Sequence, residues 1–129
     1  MKIQSFEEFD IWNKAVELAS IVYNITNKDK FEKDWWLRDQ IRRSIVSVSS
    51  NIAEWFERNN NVEFIRFLKI AKWSCWEART QLIIAKKVWY LVDEDFDSLK
   101  GEFIDLSNKI GWFIQYLSKH KEQWSFAKK

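Results

Sequence analysis

The sequence predicts an all-α fold, an antiparallel up-down-up-down four-helix bundle that forms a single domain over residues 1–129. The chain has no proline and only two glycines, whereas an average protein contains about 7% glycine and about 5% proline. Apolar residues also recur at steps of three and four through four separate segments, which is the pattern of amphipathic helices. Long helices joined by short connections pack as antiparallel neighbours, so these segments predict a bundle.

Capping residues and apolar stripes predict where each helix lies. Ser5 with Glu8 forms a capping-box pattern before the first helix, and Asp34 is a candidate N-cap of the second. The third helix has the most regular apolar stripe, which we expect to run from Phe64 to Trp89. An acidic triplet precedes the fourth, where negative charge suits a helix N-terminus. We expect helices at approximately residues 6–26, 35–58, 62–90 and 94–119, followed by a tail over residues 120–129.

Composition excludes several classes of protein. The 21 basic and 19 acidic residues give a net charge of +2, which is no general signal for polyanion binding. No apolar run approaches the ~20 residues of a membrane span, and the N-terminal segment lacks the apolar core of a signal peptide. Cys75 is the only cysteine, so an intrachain disulfide is impossible. We therefore expect a cytoplasmic protein without membrane association.

The residues that usually perform catalysis are sparse. His120 is the only histidine, and it lies in the predicted tail, where we expect a solvated side chain. Cys75 lies on the apolar stripe of the third helix and is expected to be a buried, inert thiol. Two glycines cannot form a glycine-rich phosphate loop. We expect a protein that is not an enzyme and that has no cofactor, no metal and no small-molecule substrate.

Polar residues lie on or beside the apolar stripes of the second and third helices. Glu54 and Glu77 could act as paired carboxylates in acid–base chemistry or metal binding. Alternatively, the group is a buried polar network satisfied by arginines and backbone groups. We favour the network because neither a nucleophile nor a histidine accompanies the acids. Its candidate members are Ser47, Asn51, Glu54, Glu77 and Gln81.

Three arginines form a candidate nucleic-acid or interface face on the second helix. Arg38 and Arg42 are four residues apart, and Arg43 follows directly. Positive charge beside aromatic side chains suits RNA, through phosphate contacts and base stacking. The alternative is a solvated face, or ion pairs at a subunit interface. A partner of this face would be RNA, DNA or a second copy of the chain.

Four segments together resemble a known bacterial family. Residues 39–54 read DQIRRSIVSVSSNIAE, and shorter matches occur at residues 9–15, 63–68 and 77–85. This combination resembles the four-helix-bundle family of 23S rRNA intervening-sequence proteins over nearly the whole chain. The resemblance implies a ring-shaped homopentamer without assigned catalytic residues, and a link to insertions in 23S rRNA genes. A related branch, the accessory variability proteins of diversity-generating retroelements, binds nucleic acid and a reverse transcriptase.

The resemblance leaves three functions open. The first is a homo-oligomeric, nucleic-acid-associated accessory protein linked to 23S rRNA insertions. The second is a protein-interaction scaffold that does not bind nucleic acid. The third is a retroelement accessory protein that binds RNA and a reverse transcriptase.

Tryptophan stands at several positions where the family has glycine. These positions are Trp36, Trp55, Trp73, Trp89 and Trp112, with Trp76 as a sixth candidate. One hypothesis is a UGA codon that the source bacterium reads as glycine and that has been translated as tryptophan. The alternative is a genuine or designed tryptophan-rich chain whose indoles form an interface. UGG codons at these positions would contradict the first hypothesis.

Overall fold

The computed structural model describes residues 5–58 and 65–120, and all regular secondary structure in these ranges is helical. This confirms the predicted all-α class. Four long helices are consistent with a bundle. A short helix lies between the first and second of them, and a 3₁₀ turn at Phe6–Glu8 precedes the first. The helices are α1 (Asp10–Ile25), α2 (Asp29–Lys33), α3 (Trp35–Glu57), α4 (Ile65–Lys87) and α5 (Asp93–Lys119).

Each long helix packs against two others. Helix α3 contacts α1 and α4, and helix α5 contacts α4 and α1. The apolar stripes face the interior that these helices share. One residue from each long helix illustrates how completely the stripes are buried. Leu18, Ile45, Leu82 and Phe103 are at most 1% exposed. The hydrophobic core therefore runs between all four long helices.

The first helix begins later than the capping pattern predicted. Phe9 has an extended backbone that separates the 3₁₀ turn from α1. The Ser5 hydroxyl caps the 3₁₀ turn, because it accepts a hydrogen bond from the backbone N–H of Glu7 at 3.2 Å. It also donates to the Glu7 carboxylate at 3.0 Å. The Ser5 hydroxyl therefore caps this turn through Glu7.

Asp34 forms the predicted N-cap of α3. One carboxylate oxygen accepts a hydrogen bond from the backbone N–H of Leu37 at 3.1 Å. The other accepts from the hydroxyl of Tyr90 at 3.0 Å. This hydrogen bond raises the pKa of Tyr90 above its ordinary value. Asp34 thus joins the start of α3 to the segment that follows α4.

Helix α4 ends at Lys87, three residues before its predicted end. The backbone N–H of Tyr90 donates to the carbonyl of Ala85 at 2.9 Å, and that of Trp89 donates to Lys86 at 3.1 Å. These two bonds define a Schellman motif, whose left-handed residue is usually glycine. Trp89 occupies that position with a φ of 69°. Its side chain is 81% exposed, so the prediction that it continues the core stripe is wrong. Phe64 and the predicted start at residue 62 lie outside the described residues.

Helix α5 begins with the predicted acidic first turn. It ends at Lys119, and His120 is its C-cap. The His120 ring stacks on Tyr116 with 4.3 Å between ring centroids and is half-buried rather than fully solvated. The remainder of the predicted tail lies outside the described residues. Over the described ranges, no helix combines the length and the apolar character that a membrane crossing requires.

Candidate functional site

Arg42, one of the three predicted arginines, joins α3 to the end of α1. The Arg42 guanidinium on α3 donates to the hydroxyl of Thr26 at 2.8 Å and to the side-chain oxygen of Asn27 at 2.7 Å. It also lies 4.5 Å from the ring centroid of Tyr23. Thr26 is fully buried at the end of α1. Arg42 therefore joins α3 to the C-terminal end of α1 and to the residue that follows it.

The other two arginines differ in their accessibility. Arg38 forms an ion pair with Asp39 at 3.1 Å and donates to the carbonyl of Glu32 at 3.1 Å. Arg43 is exposed, and it has neither a hydrogen bond nor an ion pair to any residue in the described ranges. Arg38 is thus paired with an acid, Arg42 is bonded to uncharged groups of the protein, and Arg43 is the exposed member of the three.

Two members of the predicted polar network meet between α3 and α4. The hydroxyl of Ser47 lies 2.9 Å from the hydroxyl of Ser74 on α4. The amide of Asn51 donates to the Ser47 hydroxyl at 3.0 Å and to the Ser47 carbonyl at 2.8 Å. Ser74 is buried and was not among the predicted members. The sequence signal for it was weak, since it only borders the apolar stripe at Cys75.

The other three predicted members lie apart from this hydrogen-bonded group. Glu54 accepts from Arg58 at 2.7 Å in a surface pair along α3. Glu77 is exposed on α4. The side-chain oxygen of Gln81 is buried and has no hydrogen-bond partner among the described residues. The structure does not place Glu54 and Glu77 in a common acid–base site.

The described residues offer little for metal or nucleophilic chemistry. Within residues 5–58 and 65–120, no group of three or more His, Cys, Asp or Glu side chains could hold a metal ion. The thiol of Cys75 is buried and donates to the carbonyl of Phe103 at 3.2 Å. Burial raises the pKa of Cys75 to about 11. A nucleophilic cysteine needs the opposite shift, because the thiolate is the reactive form.

A surface that the arginine prediction missed lies along α4. This helix contains six basic residues and one acidic residue, whereas α5 contains three basic and six acidic residues. Exposed α4 positions recur at steps of three and four, so they share one side of the helix. The side chains that we call the α4 face are Arg66, Lys69, Trp73, Trp76, Glu77, Thr80, Ile84 and Lys87. Counting charges helix by helix would have found this surface, which the overall charge of +2 conceals.

Not every basic side chain of α4 is equally accessible to a ligand. Lys86 forms an ion pair with Asp93 at 3.0 Å. The ammonium of Lys72 lies 5.2 Å from the ring centroid of Trp76, beside α5. In contrast, none of the described residues forms an ion pair with Arg66, Lys69 or Lys87. These three side chains give the α4 face its unneutralised positive charge.

Comparisons with known proteins agree with the helical architecture. The family model described as 23S rRNA-intervening sequence protein matches residues 7–111. The fold is similar to a crystal structure of a protein with unknown function from the S23 ribosomal protein family of Bacteroides thetaiotaomicron, with a TM-score of 0.73. The two sequences are 22% identical, and the match covers 81% of this chain and 97% of the other. A comparison with curated proteins found no match.

Proposed function

Because the chain belongs to the 23S rRNA-intervening sequence protein family, we propose that it is a non-enzymatic, RNA-associated accessory protein that acts as a homo-oligomer. The expected assembly is a pentamer in the cytoplasm. The buried thiol of Cys75, the ion pair of Glu54 with Arg58 and the exposure of Glu77 support a role that does not depend on catalysis.

The protomer in this proposal is an antiparallel up-down-up-down bundle. Contacts between opposite helix ends support that order. Phe9, which precedes α1, lies 5.7 Å from Phe56 near the end of α3 and 5.8 Å from Phe113 in the last third of α5, between ring centroids. Tyr90, after α4, contacts Asp34 at the start of α3. Such contacts are expected where neighbouring helices run in opposite directions.

Exposed apolar side chains along the seam between α1 and α3 carry the proposal of a homo-oligomer. Val16 and Val46 are each 39% exposed, and Tyr23 is 42% exposed. Arg42 locates the seam, because it lies over the Tyr23 ring and one turn before Val46. Apolar side chains that stay exposed on a bundle whose core is already closed provide surface that association between copies would bury. None of these residues is a tryptophan, so the observation holds whatever residue the tryptophan codons specify.

Light scattering on the purified protein tests the assembly. A pentamer has five times the 15.7 kDa mass of one chain. A Val16→Lys, Val46→Lys variant places two charges on the seam and is expected to dissociate, because a buried unpaired charge opposes association. An Ile84→Lys variant alters an exposed apolar position on α4 and serves as the matched control. A monomeric wild-type protein would contradict the proposal.

The family description and the unneutralised basic residues support the association with RNA. An electrophoretic shift assay with a structured RNA, at low and at high salt, tests this part. Phosphate contacts release counterions, so binding is expected at about 50 mM salt and to weaken strongly at about 200 mM. The absence of a shift at low salt would count decisively against RNA association.

Two alternative functions remain distinguishable from this proposal. A pure interaction scaffold is favoured by the internal contacts that occupy Arg38 and Arg42. It predicts that light scattering detects a stable ring and that this ring does not bind nucleic acid at any salt concentration. A retroelement accessory protein predicts a reverse transcriptase gene beside the gene for this chain and co-purification of that enzyme with the oligomer.

A further inference from the structure

We propose that the α4 face is the surface of this protein that contacts the sugar–phosphate backbone of RNA. This inference rests on the proposed association with RNA and assigns that association to one side of one helix. It moves the contact away from the arginines of α3, two of which are occupied by protein groups.

Charge complementarity is the first argument. The basic residues Arg66, Lys69 and Lys87 are exposed on the α4 face and have no ion pair within the described part of the chain. Glu77 is the only acidic residue of the helix and lies on the same face, so these three basic residues and Glu77 leave a net positive charge there. A chain with a net charge of +2 gains no general attraction for polyanions, so a local excess of this kind is what attracts phosphate.

Geometry is the second argument. The face extends from residue 66 to residue 87 on a continuous helix, which corresponds to about 32 Å at 1.5 Å per residue. Positive charge occurs at both ends of this length, and the side chains between them are Trp73, Trp76, Glu77, Thr80 and Ile84. The helix therefore holds two basic ends about 27 Å apart at 1.5 Å per residue, and they can contact phosphates at two separate places along an RNA backbone.

The inference depends on the basic side chains and not on the indoles. Trp73 and Trp76 lie on the α4 face and are 53% and 43% exposed, but the family resemblance implies glycine at Trp73, and Trp76 is a further candidate for such a position. Phosphate contacts position a nucleic acid without reading its sequence. We therefore expect the α4 face to bind RNA hairpins of different loop sequence with similar affinity.

The test compares two triple variants that change the net charge equally. Arg66→Gln, Lys69→Gln and Lys87→Gln neutralise the α4 face. Lys28→Gln, Lys30→Gln and Lys33→Gln neutralise three exposed lysines in and beside α2 and serve as the control. An Arg43→Gln variant tests the remaining exposed arginine of α3. Circular dichroism and the thermal midpoint establish that each variant folds.

The measurement is the affinity for an RNA hairpin as a function of salt. Each lost phosphate contact reduces the slope of log K against log salt by about 0.7–0.9. The α4 variant is therefore expected to lose about 2 from this slope. The α2 variant and Arg43→Gln are expected to change it by less than about 1, because neither alters the α4 face.

The possible results distinguish a failure of the assignment to α4 from a failure of the proposed association with RNA. Equal losses in the α4 and α2 variants would overturn the assignment to α4 while leaving RNA association intact. If Arg43→Gln alone reduces the slope, the RNA contact lies on α3 and not on the α4 face. Tighter binding of a DNA hairpin of the same sequence would overturn RNA as the occupant. A wild-type protein that binds no hairpin at low salt would refute the proposed function itself.

Discussion

Trp55 and Trp89 both stand where the family resemblance implies glycine, yet their surroundings are opposite. Trp55 is fully buried on α3, and its ring lies 5.3 Å from that of Phe9 and 5.2 Å from that of Phe113, between centroids. Trp89 is 81% exposed in the turn after α4 and has a φ of 69°. One tryptophan is part of the core, and the other lies on a backbone that suits glycine.

This contrast shows that one type of replacement has two energetic consequences. At position 55 the indole fills a volume among aromatic rings, and edge-on aromatic contacts add to its burial. At position 89 a side chain must adopt a left-handed backbone, where its Cβ crowds the following carbonyl. Packing therefore favours tryptophan at position 55, whereas the backbone favours glycine at position 89. Each position needs its own measurement.

The largest expected effect follows removal of the buried indole. Trp55→Gly should lower the free energy of unfolding by at least about 3–5 kcal/mol, because it empties a filled part of the core. Urea denaturation of the variant and the parent measures the difference.

Trp36→Gly is the matched control for Trp55→Gly. Its side chain is 63% exposed in the first turn of α3, so the loss should stay below about 1 kcal/mol. A Trp55→Gly protein as stable as the parent would show that the core closes around glycine. That result would remove the main packing argument for tryptophan at position 55.

The regular parts of the fold were predictable because packing imposes a helical period. The run of β-branched residues at Ile45, Val46 and Val48 lies inside α3, as the longer 3–4 period on both sides indicated. The end of α4 was not predictable in this way. Trp89 lies four residues after Ala85, which continues the spacing, but spacing does not report where the backbone becomes left-handed.

The candidate sites were less predictable because they depend on contacts between helices. The hydrogen bond from Asn51 to Ser47 follows from i, i+4 spacing on α3. Its extension to Ser74, and the contact of Arg42 with Thr26, join residues 27 and 16 positions apart. Those partners depend on how far one helix is displaced along another, which the period of a single helix does not determine.

The second prediction concerns the exposed member of the pair. Trp89→Gly should raise the free energy of unfolding by about 1–2 kcal/mol, because glycine adopts the left-handed backbone without the Cβ clash. Trp73→Gly is the control: it is exposed in the interior of α4, where glycine should lower stability by about 0.5 kcal/mol. Thermal unfolding of both variants and the parent shows whether each substitution raises or lowers the stability. A loss of stability at position 89 would refute the glycine interpretation of that turn.

A third, smaller effect on stability is expected where a glycine within a helix is replaced by alanine. Gly101 lies within α5, and a Cβ added there meets no atom within 4 Å. Gly101→Ala should therefore raise the free energy of unfolding by up to about 1 kcal/mol. A Cβ at Gly111 would lie 3.0 Å from the ammonium of Lys72, so Gly111→Ala should gain less. A larger gain at Gly111 than at Gly101 would contradict the packing described around Lys72.

The smallest effect concerns the bond that fixes the turn beside Trp89. Tyr90 donates to Asp34, and this bond raises the pKa of Tyr90 above its ordinary value of 10.0. The folded protein therefore holds the phenolic proton more tightly than the unfolded chain does. Its contribution to stability is complete below about pH 10 and is lost as the pH rises through the folded pKa.

Tyr90→Phe removes this contribution. The free energies of unfolding of the variant and the parent should therefore differ more at about pH 8 than above about pH 10.5. Urea denaturation of both proteins at the two pH values measures how far the difference between their free energies of unfolding decreases. Cys75, whose pKa is about 11, titrates in both proteins and cancels from the comparison. A difference that stays constant with pH would mean that Tyr90 stabilises the turn only by packing against Phe31, whose ring centroid lies 5.4 Å away. The left-handed residue at position 89 would then be held without help from Asp34.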